Sequence, residues 1–349
     1  MSTPKPLKPA TRADVARLAG VSESTVSYAL SGERSISDDT RLRIEQAMDH
    51  LGYVPNAMAQ ALARKKSGIL ALLFPIGERG FDETDFEYVE AATKAASASG
   101  YQLLLWPNGV EDTDALKKIV AQGLVEGVLL MEVRASDPRV SVLRESNTPF
   151  CLIGRTTDSS DLTYVDADFS EWGPMALAHL AELGHTSVGL ISMSEELIEA
   201  GYGPGVRTEG PLVKSAAELG ISVAIKHVKA TIRDGRQAFD ELLSEHPDIT
   251  AVIGFNEPAL IGALEVAGSR GLRVPDDLSV MSFGISDISA NMTVPAQTTI
   301  GVDGRELGRK AADYLIARLN GDSSSTLQFL AKPQFVNRGS TTARPQLRA

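Results

Sequence analysis

The sequence contains one cysteine among its 349 residues and no continuous run of eighteen apolar residues. A single cysteine excludes an internal disulfide bond and fits a reducing compartment. Cys151 lies in the apolar run 149–153, which predicts a buried, inert thiol. Without a long apolar run there is no candidate transmembrane helix. The polar start, residues 1–6, lacks the apolar segment of a signal peptide, so we expect a cytoplasmic protein.

Motifs for catalysis and for metal or phosphate binding are also missing. The histidines, at positions 50, 179, 185, 227 and 246, have no paired spacing typical of metal ligands. The patterns G-x-x-x-x-G-K-[ST], G-x-G-x-x-G and G-x-S-x-G do not occur. The glycine-rich stretch 201–205 therefore predicts a mobile loop rather than a phosphate cradle. The sequence predicts no metal, no cofactor and no catalytic site.

Charge is distributed unevenly along the chain. The net charge is −11, but residues 1–68 hold 10 Lys and Arg against 7 Asp and Glu. The remaining residues hold 24 basic against 38 acidic side chains. A basic N-terminal segment on an acidic body predicts that one end contacts phosphate groups.

The basic segment, residues 1–55, has the pattern of a small all-α helix-turn-helix domain. An alanine-rich stretch, 14–20, ends in glycine and is followed by Val21–Ser27, a second helical stretch. Thr11, Ser22 and Ser37 are placed to cap three helices, and Gly20 and Gly52 to end two of them. We expect the core to consist of Val15, Leu18, Val26, Leu30, Leu42, Ala47 and Leu51. A helix-turn-helix places its second helix in the major groove of DNA.

The following segments predict a linker and a larger α/β body. Residues 56–68 form a short, alanine-rich linker that we expect to become helical only with a partner. From residue 69 to 349, apolar runs of strand length alternate with amphipathic helical stretches, which is typical of doubly wound parallel sheets. The number of such units favours two lobes. A ligand then binds at the carboxyl ends of the strands, between the lobes.

Five motifs, in this order, resemble those of the lac/purine repressor family of transcription factors. They are D-V-A-x-x-A-G-V-S-x-x-T-V-S from Asp14, G-Y-x-P-N from Gly52, L-G-H from Leu183, G-L-x-V-P-x-D from Gly271 and R-G-S-T from Arg338. The resemblance covers residues 11–342. It implies a homodimer on a near-palindromic operator and a two-lobed body like a type I periplasmic binding protein. It also implies a small-molecule effector in the cleft and no catalysis.

The resemblance assigns DNA contacts to the head and the linker. Glu23, Ser24 and Tyr28 match base-reading positions, with Ser22, Thr25 and Ser27 on the same helix. Arg12, Ser31, Ser35, Ser37 and Asn56 match backbone contacts, for which the alternative is surface solubility or capping. Ala59 lies in the linker, and Leu62 matches a leucine that wedges into the minor groove at the operator centre; the alternative for Leu62 is core packing.

The resemblance also assigns an effector site in the body. Arg207 matches an arginine that grips the effector, and the remaining candidates are Asp85, Asp168, Phe169, Trp172, Asn256 and Glu257. An aromatic ring surrounded by such groups suits a polyol. The alternative for each residue is a helix cap or a surface charge. Gly284 stands where many family members have an acidic residue, which weakens the assignment to a sugar.

These observations lead to one interpretation and two alternatives. We interpret the chain as a cytoplasmic, nucleoid-associated, DNA-binding transcriptional regulator, a repressor of carbohydrate uptake or use. One alternative is a solute-binding protein that delivers sugar to a transporter, for which the body is suited but the basic head is not. The other is an enzyme on a doubly wound fold, for which the phosphate-binding glycine motif is missing.

Overall fold

The structure is a computed structural model that describes residues 10–31, 34–54, 67–75, 80–322 and 326–345. The chain divides into two compact units, Met1–Gly68 and Ile69–Ala349. Within the described ranges, no helix is long and apolar enough to cross a membrane. The boundaries predicted for the linker, residues 56–68, fall mostly outside the described residues and stay a prediction.

The first unit contains helices α1 (Arg12–Ala19), α2 (Glu23–Ser31) and α3 (Asp38–Leu51). Thr11 and Asp14 form a capping box at the start of α1, in which the Thr11 amide donates to Asp14 Oδ2 at 3.0 Å. Gly20, with φ of 66°, ends α1 in the left-handed conformation that glycine adopts without strain. Ser37 caps α3, because its hydroxyl accepts from the Thr40 amide. Local sequence therefore accounts for the start of two helices and for the turn that follows α1.

The core of this unit differs in composition from the one that the sequence predicts. Its buried side chains are Val15, Ala16, Ala19, Val26, Ile44 and Ala47. The predicted core residues Leu18 and Leu42 are wrong, since they are 51% and 54% exposed. Leu42 precedes Ile44 by two residues, which is about 200° of helical rotation, so the two side chains lie on opposite faces of α3. Leu30 and Leu51 pack only at the edge of the core.

The second unit contains two six-stranded sheets. The strands of the first sheet pair in parallel in the order β11-β5-β4-β3-β1-β2, and those of the second run β12-β10-β9-β8-β6-β7, with only β12 antiparallel. Their bounds are β1 Ile69–Leu73, β2 Gln102–Trp106, β3 Gly127–Leu130, β4 Phe150–Ile153, β5 Tyr164–Ala167, β6 Ser187–Ser192, β7 Ser222–His227, β8 Ala251–Gly254, β9 Ser279–Phe283, β10 Thr298–Gly301, β11 Gln328–Ala331 and β12 Gln334–Val336. The predicted two-lobed α/β body is confirmed.

Helices cover both faces of each sheet. They are α4 Glu83–Ala98, α5 Thr113–Ala121, α6 Pro138–Glu145, α7 Trp172–Glu182, α8 Glu195–Glu199, α9 Gly203–Leu219, α10 Ile232–Glu245, α11 Glu257–Ser269, α12 Asp287–Ala290 and α13 Gly304–Leu319, with a 3₁₀ turn at Phe169–Glu171. The chain passes between the lobes after β5, after β10 and after β11. Helix α13 returns to the first lobe, where a Cβ at Gly308 would overlap the Tyr88 carbonyl oxygen. Glycine at this position lets α13 pack closely on α4.

The glycine-rich stretch 201–205 differs from its prediction. Gly203, Pro204 and Gly205 form the first turn of α9 rather than a loop. Proline is tolerated in the first helical turn, because the amide there needs no partner within the helix. A Cβ at Gly205 would overlap the terminal methyl group of Ile198, so a larger residue here would displace the Ile198 side chain of α8.

Candidate functional site

The first unit presents the predicted recognition helix with one exposed face. Ser22, Glu23 and Ser24 are exposed, and Thr25, Ser27 and Tyr28 are half-buried around the buried Val26. The Ser22 hydroxyl accepts from the Thr25 amide at 3.1 Å and lies 2.7 Å from the Ser24 hydroxyl. Ser22 therefore caps α2, and the side chains that follow it are accessible to a partner.

Two arginines flank this face. Arg12 pairs with Glu23 across 3.8 Å, with both side chains about half exposed. An exposed pair of this kind contributes little to stability, so a phosphate group can replace Glu23 as the partner of Arg12. The guanidinium of Arg34 lies 5.3 Å from the centre of the Tyr28 ring. Sequence reasoning missed Arg34, although an arginine in the connection between α2 and α3 is a signal for phosphate contact.

Several predicted DNA contacts lie outside the described residues. Asn56, Ala59 and Leu62 lie outside the described residues, and only the helical backbone of Ser31 is described. Ser35 and Ser37 are exposed before α3. Ser37 caps that helix, which is the role that the sequence left open as an alternative to a DNA contact.

The second unit holds a cavity of about 440 Å³ between its lobes. Residues after β3, β4 and β5 line it from the first lobe, and residues after β6, β8 and β9 from the second. The carboxyl ends of both sheets thus face one cavity, which is where parallel α/β sheets bind their ligands. Its size is that of a small-molecule site.

The structure brings most of the predicted effector residues to this cavity. Those that line it are Asp85, Phe169, Trp172, Arg207, Asn256 and Glu257. Asp168 is not among the lining residues. Its carboxylate accepts from the Ser170 hydroxyl at 2.5 Å in the turn between the lobes.

Two of the lining residues also cap helices. Asp85 accepts from the Asp82 amide at 3.1 Å, within the capping box that begins α4. Asn256 caps α11, and its amide group donates to the Val228 carbonyl at 3.1 Å. Helix capping is the alternative role that the sequence left open for these two residues. The fold therefore sets the positions of Asp85 and Asn256 before any ligand binds.

Arg207 is held by a buried carboxylate that sequence reasoning missed. Its Nη1 donates to Asp166 Oδ2 at 2.6 Å, and its Nη2 donates to the Arg155 carbonyl. Arg155 Nε lies 3.2 Å from the same carboxylate oxygen. Burial raises the pKa of Asp166 to about 6, against the opposing effect of Arg207 and Arg155. Asp166 lies one residue before the end of β5 in one lobe and Arg207 lies on α9 in the other, so the pair bridges the cavity.

Further hydrogen bonds join the lobes at the cavity rim. The Tyr202 hydroxyl donates to Glu132 Oε1 at 2.8 Å, and the Ala135 amide donates to the Gly201 carbonyl at 2.7 Å. The Thr84 hydroxyl donates to the Gly284 carbonyl at 3.1 Å. The described conformation is therefore one in which the lobes contact each other around the cavity.

Four aromatic rings form one wall of the cavity. The Trp172 ring centre lies 4.6 Å from that of Phe169 and 5.8 Å from those of Phe255 and Phe283. Trp172 is only 2% exposed, and its Nε1 has no hydrogen-bond partner among the described residues. A Cβ at Gly284 would lie 3.1 and 3.2 Å from the Trp172 ring atoms Cζ3 and Cη2. The missing side chain at position 284 thus leaves room for the indole.

Neither metal nor thiol chemistry is indicated in the described ranges. No group of three or more His, Cys, Asp or Glu residues there could hold a metal ion. Cys151 is buried in β4, where burial raises the pKa of its thiol. Burial also raises the pKa of Glu257, whose carboxylate interacts with Ser289.

Comparison with known proteins gives matches over both units. Residues 11–56 match the family described as bacterial regulatory proteins, lacI family, and residues 177–341 match a periplasmic binding protein-like domain. The HTH-type transcriptional repressor PurR of Salmonella arizonae is 31% identical over 345 residues, which cover 96% of this chain and 98% of that protein.

Two solved structures are similar over almost the whole chain. A complex of the transcriptional regulator CelR with cellobiose has 26% identity and a TM-score of 0.70, and covers 95% of this chain and 99% of that one. The lac repressor dimer bound to operator and the anti-inducer ONPF has 25% identity and a TM-score of 0.81, and covers 96% of this chain and 100% of that one.

Proposed function

Because this chain belongs to the lacI family of bacterial regulatory proteins and is a DNA-binding transcriptional regulator with a small-molecule effector, we propose that it represses genes of carbohydrate uptake or use. Regulators of this family bind operator DNA as dimers and are not enzymes. The relative CelR binds cellobiose, which supports a sugar as the effector here. The observation that carries the proposal is the cavity at the carboxyl ends of both sheets, with Arg207 inside it.

The proposed DNA interface is the exposed face of α2 with its neighbouring arginines. Glu23, Ser24 and Tyr28 read base edges, while Arg12 contacts phosphate and exchanges its pairing with Glu23 for that contact. Residues 1–55 form the DNA-binding head, 56–68 the hinge and 69–349 the effector-binding and dimerisation body. Leu62 of the hinge enters the minor groove, and the protein acts in the cytoplasm on the nucleoid.

The proposed switch acts through the contacts that join the lobes. A ligand changes a two-state equilibrium only by its different affinity for the two states. Arg207 on the second lobe is paired with Asp166 and the Arg155 carbonyl on the first. An effector that competes for this guanidinium changes the relation of the lobes and, through the dimer, the affinity for the operator.

Operator selection followed by effector titration tests this function. We expect the full chain to enrich near-palindromic sites from a random DNA library, with log K falling with log salt at a slope of about −0.9 per phosphate contact. A chain that begins at Ser67 is the control, since it lacks the head but keeps the body. Loss of operator affinity on adding a sugar supports the proposal. Operator binding by the truncated chain, or no palindromic enrichment by the full chain, would contradict it.

A further inference from the structure

The loop that follows β3, residues 131–137, pairs with the second lobe through backbone atoms. The Ala135 amide donates to the Gly201 carbonyl at 2.7 Å, and the Gly203 amide donates to the Val133 carbonyl at 3.3 Å. An antiparallel bridge lies between these two bonds. The amides of Ala135 and Gly203 are therefore protected only while the lobes are in contact.

One residue of this loop has an unfavourable backbone conformation. Glu132 has a φ of 55°, in the left-handed region where the Cβ of any residue other than glycine is crowded. Its side chain accepts from the hydroxyl of Tyr202, in the second lobe, at 2.8 Å. Such conformations persist only where the surrounding structure holds them. The loop at Glu132 therefore needs a restraint from outside its own sequence.

A buried ion pair in the first lobe supplies this restraint. Arg139 Nη2 donates to the Met131 carbonyl at 2.9 Å and to the Glu132 carbonyl at 3.1 Å. The Nε and Nη2 groups of Arg139 also donate to the two oxygens of Asp137, at 3.0 and 2.7 Å. The Asp137 carboxylate in turn accepts from the Arg134 amide at 3.3 Å. The ion pair thus holds both peptide groups that flank Glu132.

The energetics of this ion pair favour a positioning role over a stabilising one. The side chains of Arg139 and Asp137 are 1% and 0% exposed, and Arg139 Nη1 has no hydrogen-bond partner among the described residues. Removing two charges from water is costly, and a buried pair often contributes no more to stability than apolar side chains of similar volume. Apolar side chains could not, however, bond the carbonyls of Met131 and Glu132.

Building on the proposed switch, which acts through contacts between the lobes, we propose that Arg139 is a positioning residue for the response to the effector. Together with Asp137 it holds the loop 131–137 in the conformation that pairs with the second lobe. It thereby sets the equilibrium between lobes in contact and lobes apart. Arg139 is not among the described residues that line the cavity, so it acts on the effector only through the loop.

Hydrogen exchange at single amides of the full chain tests this role without any ligand. Two probes, Ala135 and Gly203, bond across the lobes, and two references, Val128 and Leu152, donate to carbonyls of the first lobe at 2.9 and 3.0 Å. Arg139→Lys keeps the charge but lacks the planar fork that bonds the carboxylate and both carbonyls at once. We expect exchange at the two probes to become about tenfold faster and at the two references to change by less than about twofold.

Arg144→Lys is the matched control. Arg144 lies on the same helix, α6, and bonds the Asp161 carboxylate at 2.5 and 2.6 Å from a half-exposed position. We expect this variant to leave all four amides unchanged. Equal acceleration at all four amides in Arg139→Lys would show a merely structural role and overturn the proposal, as would unchanged exchange at the two probes. If Arg139→Lys does not fold, Asp137→Asn is measured in the same way, since it keeps an oxygen that can cap α6 but loses the charge that orients the guanidinium.

Glycine at position 132 gives a second test that a structural role would not pass. Glycine adopts a positive φ without a penalty from a Cβ, so Glu132→Gly makes the loop less dependent on the ion pair. We expect Arg139→Lys to accelerate exchange at the two probes by no more than about threefold in the Glu132→Gly background. In Glu132→Gln, which keeps the Cβ and a side-chain oxygen, we expect the full effect of about tenfold. The same acceleration in both backgrounds would overturn the proposal.

Operator binding, measured in parallel, separates this inference from the proposed function. We expect Arg139→Lys and Tyr202→Phe to change the affinity for the selected operator in the same direction, and their effects on log K to add incompletely in the double variant. Unchanged operator affinity in Arg139→Lys, despite faster exchange at the two probes, would overturn its role in the switch. If the chain binds its operator but the probes exchange normally in Arg139→Lys, the inference is wrong and the regulatory function stands. If the full chain selects no palindromic operator, the proposed function fails, whatever the exchange rates show.

Discussion

Asp166→Asn is the substitution for which the structure gives the clearest energetic expectation. Asp166 is 4% exposed, accepts from Arg207 at 2.6 Å and lies 3.2 Å from Arg155 Nε. Even so, burial outweighs both cations and raises the pKa of Asp166 from 3.8 to about 6. A difference of about two pKa units corresponds to about 3 kcal/mol of unfolding free energy.

The sign of the effect follows from the direction of this shift. Because the pKa is higher in the folded state, the stabilising contribution of the protonated carboxyl is complete below about pH 4 and is lost as the pH rises through about 6. Asparagine has the shape of the protonated acid and cannot ionise. We therefore expect Asp166→Asn to raise the free energy of unfolding by about 3 kcal/mol at pH 7 and by less at pH 5.5.

Urea unfolding followed by tryptophan fluorescence measures this difference. Both tryptophans, Trp106 and Trp172, lie in the second unit, so the signal reports on the body rather than on the head. Asp168→Asn is the matched control, because Asp168 lies two residues further on, is half-buried and does not line the cavity. We expect the control to change stability by no more than about 0.5 kcal/mol at either pH. A variant Asp166→Asn that is less stable than the wild type at pH 7 would refute the reasoning, since the ion pair would then outweigh the cost of burial.

Four further outcomes are expected. Arg207→Ala should abolish the response to effector in an anisotropy titration and, because it also removes the contact with Asp166 that joins the lobes, should shift operator affinity without effector in the direction in which the effector shifts it in the wild type; a normal response would place the effector elsewhere. Tyr28→Ala should weaken operator binding by about 1–3 kcal/mol and relax preference at one position of each half-site, whereas equal weakening on all DNA would make Tyr28 a backbone contact. Leu62→Ala should weaken operator binding more than nonspecific binding, because only the operator complex is kinked, and equal losses on both DNAs would exclude the wedge. Burial lowers the pKa of His185, so the contribution of the neutral imidazole to stability is complete above about pH 6.5 and is lost as the pH falls below that value. His185→Gln should remove this pH dependence from thermal unfolding. An unchanged pH profile in the variant would show that another group causes the dependence.

The sequence alone determined the local structure and the class of fold. Alternation of apolar runs with amphipathic stretches predicted the doubly wound sheets, because buried parallel strands are nearly continuously apolar. Short strands that contain polar residues, such as Tyr164–Ala167 and Thr298–Gly301, do not show this pattern. Helix caps at Thr11 and Ser37 were predictable because capping depends on residues within one turn.

Tertiary structure decided which of these residues form a site. Resemblance placed Arg207 in the cleft, but only the crossing of the chain between lobes after β5 brings Asp166 to its guanidinium. In the sequence, Gly284 is notable only because many family members have an acidic residue at this position. The structure shows that the Trp172 ring packs against the space that a side chain at position 284 would fill. Leu18 and Leu42 are apolar in sequence and exposed in the structure, because the packing of three short helices covers only one face of each. Local periodicity records which side chains share an element, and the contacts between elements distant in sequence depend on how the chain returns from one lobe to the other.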